Sequence, residues 1–211
     1  MFDGSHKRDY LFKFVPPTTR SQLLLDEEAA YSVTDQYTAD KMTRDIVRFA
    51  GGSTICDATA CIGGNTASFA RSFRHVVAIE KNETRYNYLV HNMAVLKATN
   101  VVCVCGDSLE EVTWGCAGVT KASNVYDVIF IDPPWGGPEY KSQNTLCLEL
   151  SNTPLDEVCR RWAKHTNYFA IKTPNNFDEK SFTSATIDFL RLVHKNTQLR
   201  KVTFYIFACK R

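Results

Sequence analysis

The chain has 211 residues, 44% of them hydrophobic and 23% charged, with a net charge of +2. That supports one well-filled domain rather than two, and it excludes a largely disordered chain. So mild a charge balance neither demands nor excludes a nucleic-acid partner. No apolar run reaches the roughly 18 residues of a membrane span, and Lys7, Arg8 and Asp9 interrupt the start, where a signal segment would be apolar. The eight cysteines (Cys56, Cys61, Cys103, Cys105, Cys116, Cys147, Cys159 and Cys209) form no CxxC pair. A metal site is therefore not expected. Several lie inside apolar runs and read as reduced thiols of an intracellular compartment, cytoplasmic or nuclear.

In chain order, Tyr10, Leu11, Phe12 and Phe14 form an apolar cluster before Pro16-Pro17. Residues 1–36 are expected to be a short arm, helical in part, that packs on a main domain of residues 37–211. Met42, Ile46, Val47 and Phe49 recur at near-helical spacing over residues 38–50, with Thr38 as the expected N-cap and Gly51-Gly52 as the stop. A rhythm of strands and helices follows. Strands are expected at 53–57, 75–80, 100–105, 126–132, 167–172 and 201–208. Helices are expected at 63–73, 83–97 and 181–194, and residues 113–124 read as a loop. This alternation predicts an α/β fold with a mostly parallel central sheet and helices on both faces.

In such sheets ligands bind beyond the carboxyl ends of the strands. Asp57, Glu80, Asp107 and Asp132 each end or follow an apolar strand. The segment from Asp57 and Ala58 through Gly63 and Gly64 to Asn65 and Thr66 lets a ligand approach the backbone closely. It is neither a G-x-G-x-x-G fingerprint nor a Walker A loop. Glu80 is placed to accept from ribose hydroxyls, and Asp107, followed by Ser108, to accept from an adenine amino group. Together the acids match the layout that binds S-adenosylmethionine, so Asp57, Ala58, Gly63, Asn65, Thr66, Glu80, Asp107, Ser108 and Asp132 are candidate cofactor residues.

The strongest local signal is Asp132-Pro133-Pro134-Trp135. Two prolines after an acid fix an extended turn whose carbonyls are free to accept. An exocyclic amine needs acceptors of that kind to aim its lone pair at a methyl group, and Trp135 adds a face on which a base can stack. Asp132, Pro133, Pro134 and Trp135 are the candidate catalytic residues. Their chemistry is positioning more than strong general base catalysis.

Several segments resemble the trimethylguanosine synthase family, which methylates N2 of 7-methylguanosine RNA caps. They are Leu25-Asp26-Glu27-Glu28 with Tyr31-Ser32-Val33-Thr34, Cys61-Ile62-Gly63-Gly64-Asn65-Thr66, Pro133 to Tyr140, and Leu199 to Thr203. The resemblance runs from about Tyr10 to the C-terminus. It implies a Rossmann-like class I methyltransferase domain over 37–211, S-adenosylmethionine as cofactor and capped RNA as partner; the oligomeric state is left open, with a monomer as the default expectation. It implies that Trp135 stacks on the methylated guanine, that Tyr140 sits near the cap phosphates, and that Tyr31 to Thr34 cover the cofactor. Phe12 and Phe14 would help close the site, or simply latch the arm onto the core.

Two positions depart from the family. Asp132 stands where Ser is common, and Asp-Pro-Pro-Trp is more typical of adenine-N6 methyltransferases. Pro174-Asn175-Asn176 stands where the family has P-R-N, whose Arg contacts phosphate; Lys172 is the nearby cation that could replace that charge, giving Lys172, Asn175 and Asn176 as candidate substrate residues. An amino-directed methyltransferase acting on adenine or guanine of uncapped RNA or DNA therefore stays open, as does a non-catalytic RNA-binding subunit.

Overall fold

A computed structural model describes residues 4–110, 113 and 126–211. Most of the predicted loop at 113–124 lies outside the described residues. Three short helices open the chain: α1 (Ser5–Leu11), α2 (Pro17–Arg20) and α3 (Ala29–Ser32). Apolar residues of this segment, Leu11, Phe12, Val15, Leu23, Ala29 and Val33, pack with Ile62 of the glycine turn. Asn92 of α6 (Glu83–Val95) fixes that contact. Its buried amide accepts from the Leu24 N–H at 2.8 Å and donates to the Leu24 and Ile62 carbonyls, each at 3.0 Å. One polar side chain thus ties the N-terminal segment, the glycine turn and α6 into one body.

Helix α4 (Gln36–Phe49) starts two residues earlier than the periodicity predicts. Asp35, not Thr38, is the cap: its carboxylate accepts from the Thr38 N–H at 3.1 Å and the Thr38 hydroxyl at 2.8 Å. Ala39, Met42 and Ile46 turn inward, and the chain leaves through Gly51 and Gly52, both at positive φ.

The described strands are β1 (Thr54–Asp57), β2 (His75–Glu80), β3 (Val101–Cys105), β4 (Tyr126–Ile131), a small hairpin of β5 (Glu149–Leu150) and β6 (Thr153–Pro154), then β7 (Thr166–Pro174), β8 (Leu190–Asn196) and β9 (Val202–Cys209). Seven of these form the main sheet, in the order β3-β2-β1-β4-β7-β9-β8. The five from β3 to β7 are parallel, and β9 runs antiparallel to both β7 and β8. With helix α5 (Gly64–Ala70) after β1, the molecule has the expected α/β, Rossmann-like class I methyltransferase architecture.

Three features differ from the sequence reading. The helix predicted at 181–194 is a shorter α8 (Glu179–Thr186) followed by strand β8. Asp178 caps this helix through the Ser181 N–H at 3.0 Å. Leu190 is buried but Leu192 is exposed, so the segment carries no clean stripe of its own, and β9 supplies the backbone partners that make it a strand. A helix α7 (Leu155–Trp162) was not foreseen; it buries Leu155, Val158, Cys159 and Trp162. Strand β3 is a sheet edge, so Cys105 is exposed despite its apolar run. The described cysteines are all free thiols. Among the described residues no helix is long and apolar enough to cross a membrane, and no cluster of His, Cys, Asp or Glu could hold a metal ion.

Candidate active site

One cavity of about 1050 Å³ opens over the carboxyl ends of the parallel strands. The glycine turn forms its floor support. Gly63 has φ +96°, and a Cβ there would lie 2.5 Å from the Met93 side chain; a Cβ on Gly64 would lie 2.8 Å from the Thr34 carbonyl. These glycines let the turn press against α6 on one side and against Val33-Thr34 on the other. Thr34 is thereby held at the cavity wall with Ala58.

Glu80 and Asp107 face the cavity from β2 and from the turn after β3. Glu80 accepts from the Cys61 N–H at 2.9 Å through Oε2 and from the Asn82 N–H at 2.8 Å through Oε1, with the Arg85 guanidinium 3.7 Å away. Asp107 accepts from the Leu109 N–H at 2.9 Å and from the Ser151 hydroxyl at 2.5 Å. Each carboxylate oxygen has a second lone pair. Both acids are therefore oriented by the protein and still able to accept from a ligand's hydroxyl or amino groups. That donor-seeking pair, in a cavity roomy enough for a nucleoside cofactor and a base, fits adenosylmethionine. Ser108 lines the same wall.

Asp57, Gly63, Asn65 and Thr66 are not part of the cavity lining. Asp57 is fully buried beneath it, accepting from the Thr66 hydroxyl at 2.7 Å and the Thr59 N–H at 3.4 Å. Asp57 thus pins the start of α5 to the end of β1. Burial pushes the Asp57 carboxyl up to about 7, against the pull of Thr66 and Thr59 and with a further push from Asp132 and Glu80.

Across the cavity Asp132 follows β4. The β4–β7 register ends with Ile131 beside Ile171, so the next residues, Asp132 and Lys172, stand side by side. The Lys172 ammonium bonds the Asp132 carboxylate at 2.6 Å, with side-chain exposures of 7% and 12%. It also lies 4.9 Å from the centre of the Trp135 ring. Burial raises the Asp132 carboxyl above its ordinary value, opposed by Lys172 and by the Thr34 hydroxyl. The Asp132 backbone N–H donates to the Thr59 hydroxyl at 2.8 Å, which anchors the turn into Pro133-Pro134. Trp135 and Tyr140 meet edge to face at 5.2 Å, and both line the cavity. The Trp135 indole N–H is buried without a hydrogen-bond partner among the described residues.

Three substrate expectations change. Lys172 was assigned to phosphate, but its ammonium is buried and spent on Asp132. Asn176 donates to the Tyr140 carbonyl at 2.8 Å and the Gln143 carbonyl at 2.9 Å, and Asn175 accepts from the Thr203 hydroxyl at 3.1 Å. Asn176 braces the loop carrying Tyr140 and Asn175 is tied to β9, both from outside the cavity lining. In the arm, Phe12 is buried in the core and Phe14 is exposed, and neither lines the cavity; His6, Lys7, Tyr10 and Leu11 do. Sequence reasoning missed the Lys172–Asp132 pair, although a lysine and an acid ending two apolar strands was a usable signal. It also missed Ser151, which reaches Asp107 from a two-residue turn with positive φ at Ser151 and Asn152.

Solved structures of similar shape include precorrin-6y C5,15-methyltransferase from Geobacter metallireducens, with a TM-score of 0.57 at 13% identity, covering 90% of this chain and 95% of that one. Another is the tRNA m1G37 methyltransferase of M. jannaschii, with a TM-score of 0.55 at 8% identity, covering 90% of this chain and 52% of that one. These establish the fold. Among curated proteins, trimethylguanosine synthase of Schizosaccharomyces pombe is 28% identical over 163 residues, 76% of this chain and 66% of that protein. Uncharacterized protein L320 of Acanthamoeba polyphaga mimivirus is 34% identical over 126 residues, 59% of this chain and 47% of that protein. The chain thus spans from about half to just under two thirds of the length of these relatives. Residues 52–206 match the family described as RNA cap guanine-N2 methyltransferase. With that match covering most of the domain, the chain belongs to the RNA cap guanine-N2 methyltransferase family.

Proposed function

We propose that the protein transfers a methyl group from S-adenosylmethionine to the exocyclic N2 of 7-methylguanosine in an RNA cap. The observation that carries this reading is the facing of two unlike walls across one cavity. Glu80 and Asp107 stand on one side, and Asp132, Pro134 and Trp135 on the other. Bound adenosylmethionine would supply the electrophilic methyl group, with Glu80 suited to the ribose hydroxyls and Asp107 to the adenine amino group. Trp135 would offer an indole face to the base. Asp132 would accept from the exocyclic amine through Oδ1, because Lys172 occupies Oδ2. Holding amine and methyl donor in line supplies much of the rate without a strong base.

The position of Lys172 bears on the charge of the base. A bare ammonium on the indole would oppose a cationic 7-methylguanine, but here it is paired with Asp132, so the ring meets a dipole instead. Phosphates of the cap would be met by Lys141, Arg200 and Lys201, which border the cavity. The second reading, N6 methylation of adenine, is favoured by one feature, the acid at position 132. Incubation with labelled adenosylmethionine and 7-methylguanosine-capped or uncapped RNA, followed by nucleoside analysis, tests both. The expected product is N2-methylated 7-methylguanosine from capped RNA alone. Equal labelling of uncapped RNA, or label found only in N6-methyladenosine, would overturn the cap reading.

A further inference from the structure

We propose that the RNA chain beyond the target base runs along the outer face of α4, held by Lys41, Arg44 and Arg48 and stacked on Tyr37. This rests on the RNA substrate proposed above and extends it to a surface outside the cavity. Tyr37, Lys41, Arg44 and Arg48 recur at spacings of four, three and four, which aligns them on one helical face. Tyr37, Arg44 and Arg48 are exposed and Lys41 is partly so. The Lys41 ammonium lies 4.6 Å from the Tyr37 ring centre. A cation beside an exposed ring can take a phosphate while the ring takes a base, as in tracks for single-stranded nucleic acid.

The charges of the helix are sorted, and the sorting points to a polyanion. Its acids are consumed by contacts directed away from the stripe. Asp35 caps the helix through Thr38, Asp40 pairs with Arg71 and accepts from Ser68 at 2.6 Å, and Asp45 accepts from Asn196 at 2.7 Å with His194 at 3.3 Å. Lys41, Arg44 and Arg48 have no ion pair among the described residues. The helix that carries the stripe starts at the cavity. Asp35 and Thr38 line its mouth beside Arg200 and Lys201. From there α4 extends for about 20 Å at 1.5 Å per residue, so a strand leaving the cavity would meet the three cations in succession.

The test compares the unaltered chain with a Lys41→Glu/Arg44→Glu/Arg48→Glu variant and a gentler variant carrying Gln at the same positions. The substrates are a 7-methylguanosine cap dinucleotide and a capped RNA of several tens of nucleotides. The triple Glu variant should lose about tenfold in kcat/KM on the long RNA at low salt, with a smaller loss for the Gln variant, and the salt slope of RNA binding should drop by about 2. Transfer to the dinucleotide should be unchanged, which also reports that the variants fold. Unchanged kcat/KM on long RNA, or equal losses on both substrates, would overturn the proposal; the first result would leave the stripe to an acidic protein surface. Fluorescence anisotropy of the same RNA reads the stripe without turnover, and an unaltered affinity and salt slope would overturn it as well. An unaltered chain that binds RNA through the stripe yet methylates neither cap substrate would fail the cap reading alone.

Discussion

The acids on the two sides of the cavity stand at the same level of one sheet, yet they are satisfied in opposite ways. On the β2–β3 side, Glu80 and Asp107 are held by backbone N–H groups and a serine hydroxyl, which orient them and leave lone pairs for a ligand. On the β4–β7 side, Asp132 is held by a buried ammonium. The first arrangement is an acceptor wall held largely by the main chain, with Ser151 adding a side-chain donor. The second is a pair in which each charge is the other's compensation, so removing one member leaves the other buried alone. Recognition of the cofactor and of the base are therefore expected to fail differently.

The sharpest way to break the comparison is Asp132→Ala. It strands the Lys172 ammonium in a buried site and should cost about 3–5 kcal/mol of stability in urea denaturation. Adding Lys172→Met removes the stranded charge and should recover most of that loss, while methyl transfer stays at least a hundredfold down because the acceptor for the amine is gone. Equal stability of the single and double variants would mean that the pair is not coupled. By contrast, Glu80→Gln keeps the size but turns one of the two oxygens that accept backbone N–H groups into a donor, so adenosylmethionine affinity should fall with a folding cost of about 1–3 kcal/mol, below that of Asp132→Ala.

Asp57 links the two sides, since both Asp132 and Glu80 press on it. Unfolded, it ionises near 3.8; folded, near 7. Between those values the native protein holds a proton that the unfolded chain has released. Stability from this group is therefore fully present below the unfolded value, falls as pH rises through the window, and is lost above the folded value. Three or so pKa units correspond to roughly 4 kcal/mol. Asp57→Asn keeps an acceptor for Thr66 and should remove the slope, so that the wild type loses stability relative to the variant between about pH 4 and about pH 7. A parallel pH dependence in both proteins would remove Asp57 as its source. Trp135→Ala should act more narrowly, lowering kcat/KM by roughly tenfold to a hundredfold through the lost stacking while adenosylmethionine binding is kept. A loss of cofactor affinity of that size would place Trp135 on the other wall.

The two sides also differed in how readable they were. The acids at the strand ends and the Pro-Pro-Trp turn are local features, and the apolar strands that carry them could be placed to within a residue or so, as with His75–Glu80. The role of Lys172 is not local: it depends on β7 lying next to β4 in a fixed register across 40 residues of sequence. The bonds of Asn175 and Asn176 are hidden from the sequence for the same reason, because their partners, Thr203, Tyr140 and Gln143, come from other elements. Strand β8 was taken for helix because its partner β9 decides the matter, and nothing within 190–196 does so by itself.

Ser151 gives the smallest expected effect and the finest test of the acceptor wall. Its hydroxyl reaches Asp107 from the turn between β5 and β6, 44 residues away in sequence. The Lys81 ammonium in turn donates to Ser151 at 3.2 Å. Ser151→Ala removes one of two donors on Asp107 but leaves the Leu109 N–H, so the carboxylate keeps an anchor and loses part of its aim. One hydrogen bond of this kind is worth about 1 kcal/mol, so adenosylmethionine should bind about fivefold more weakly by titration calorimetry, with kcat on the base little changed. If kcat fell while cofactor affinity held, Ser151 would be acting through the base side, and the division of the cavity into two independently satisfied walls would not stand.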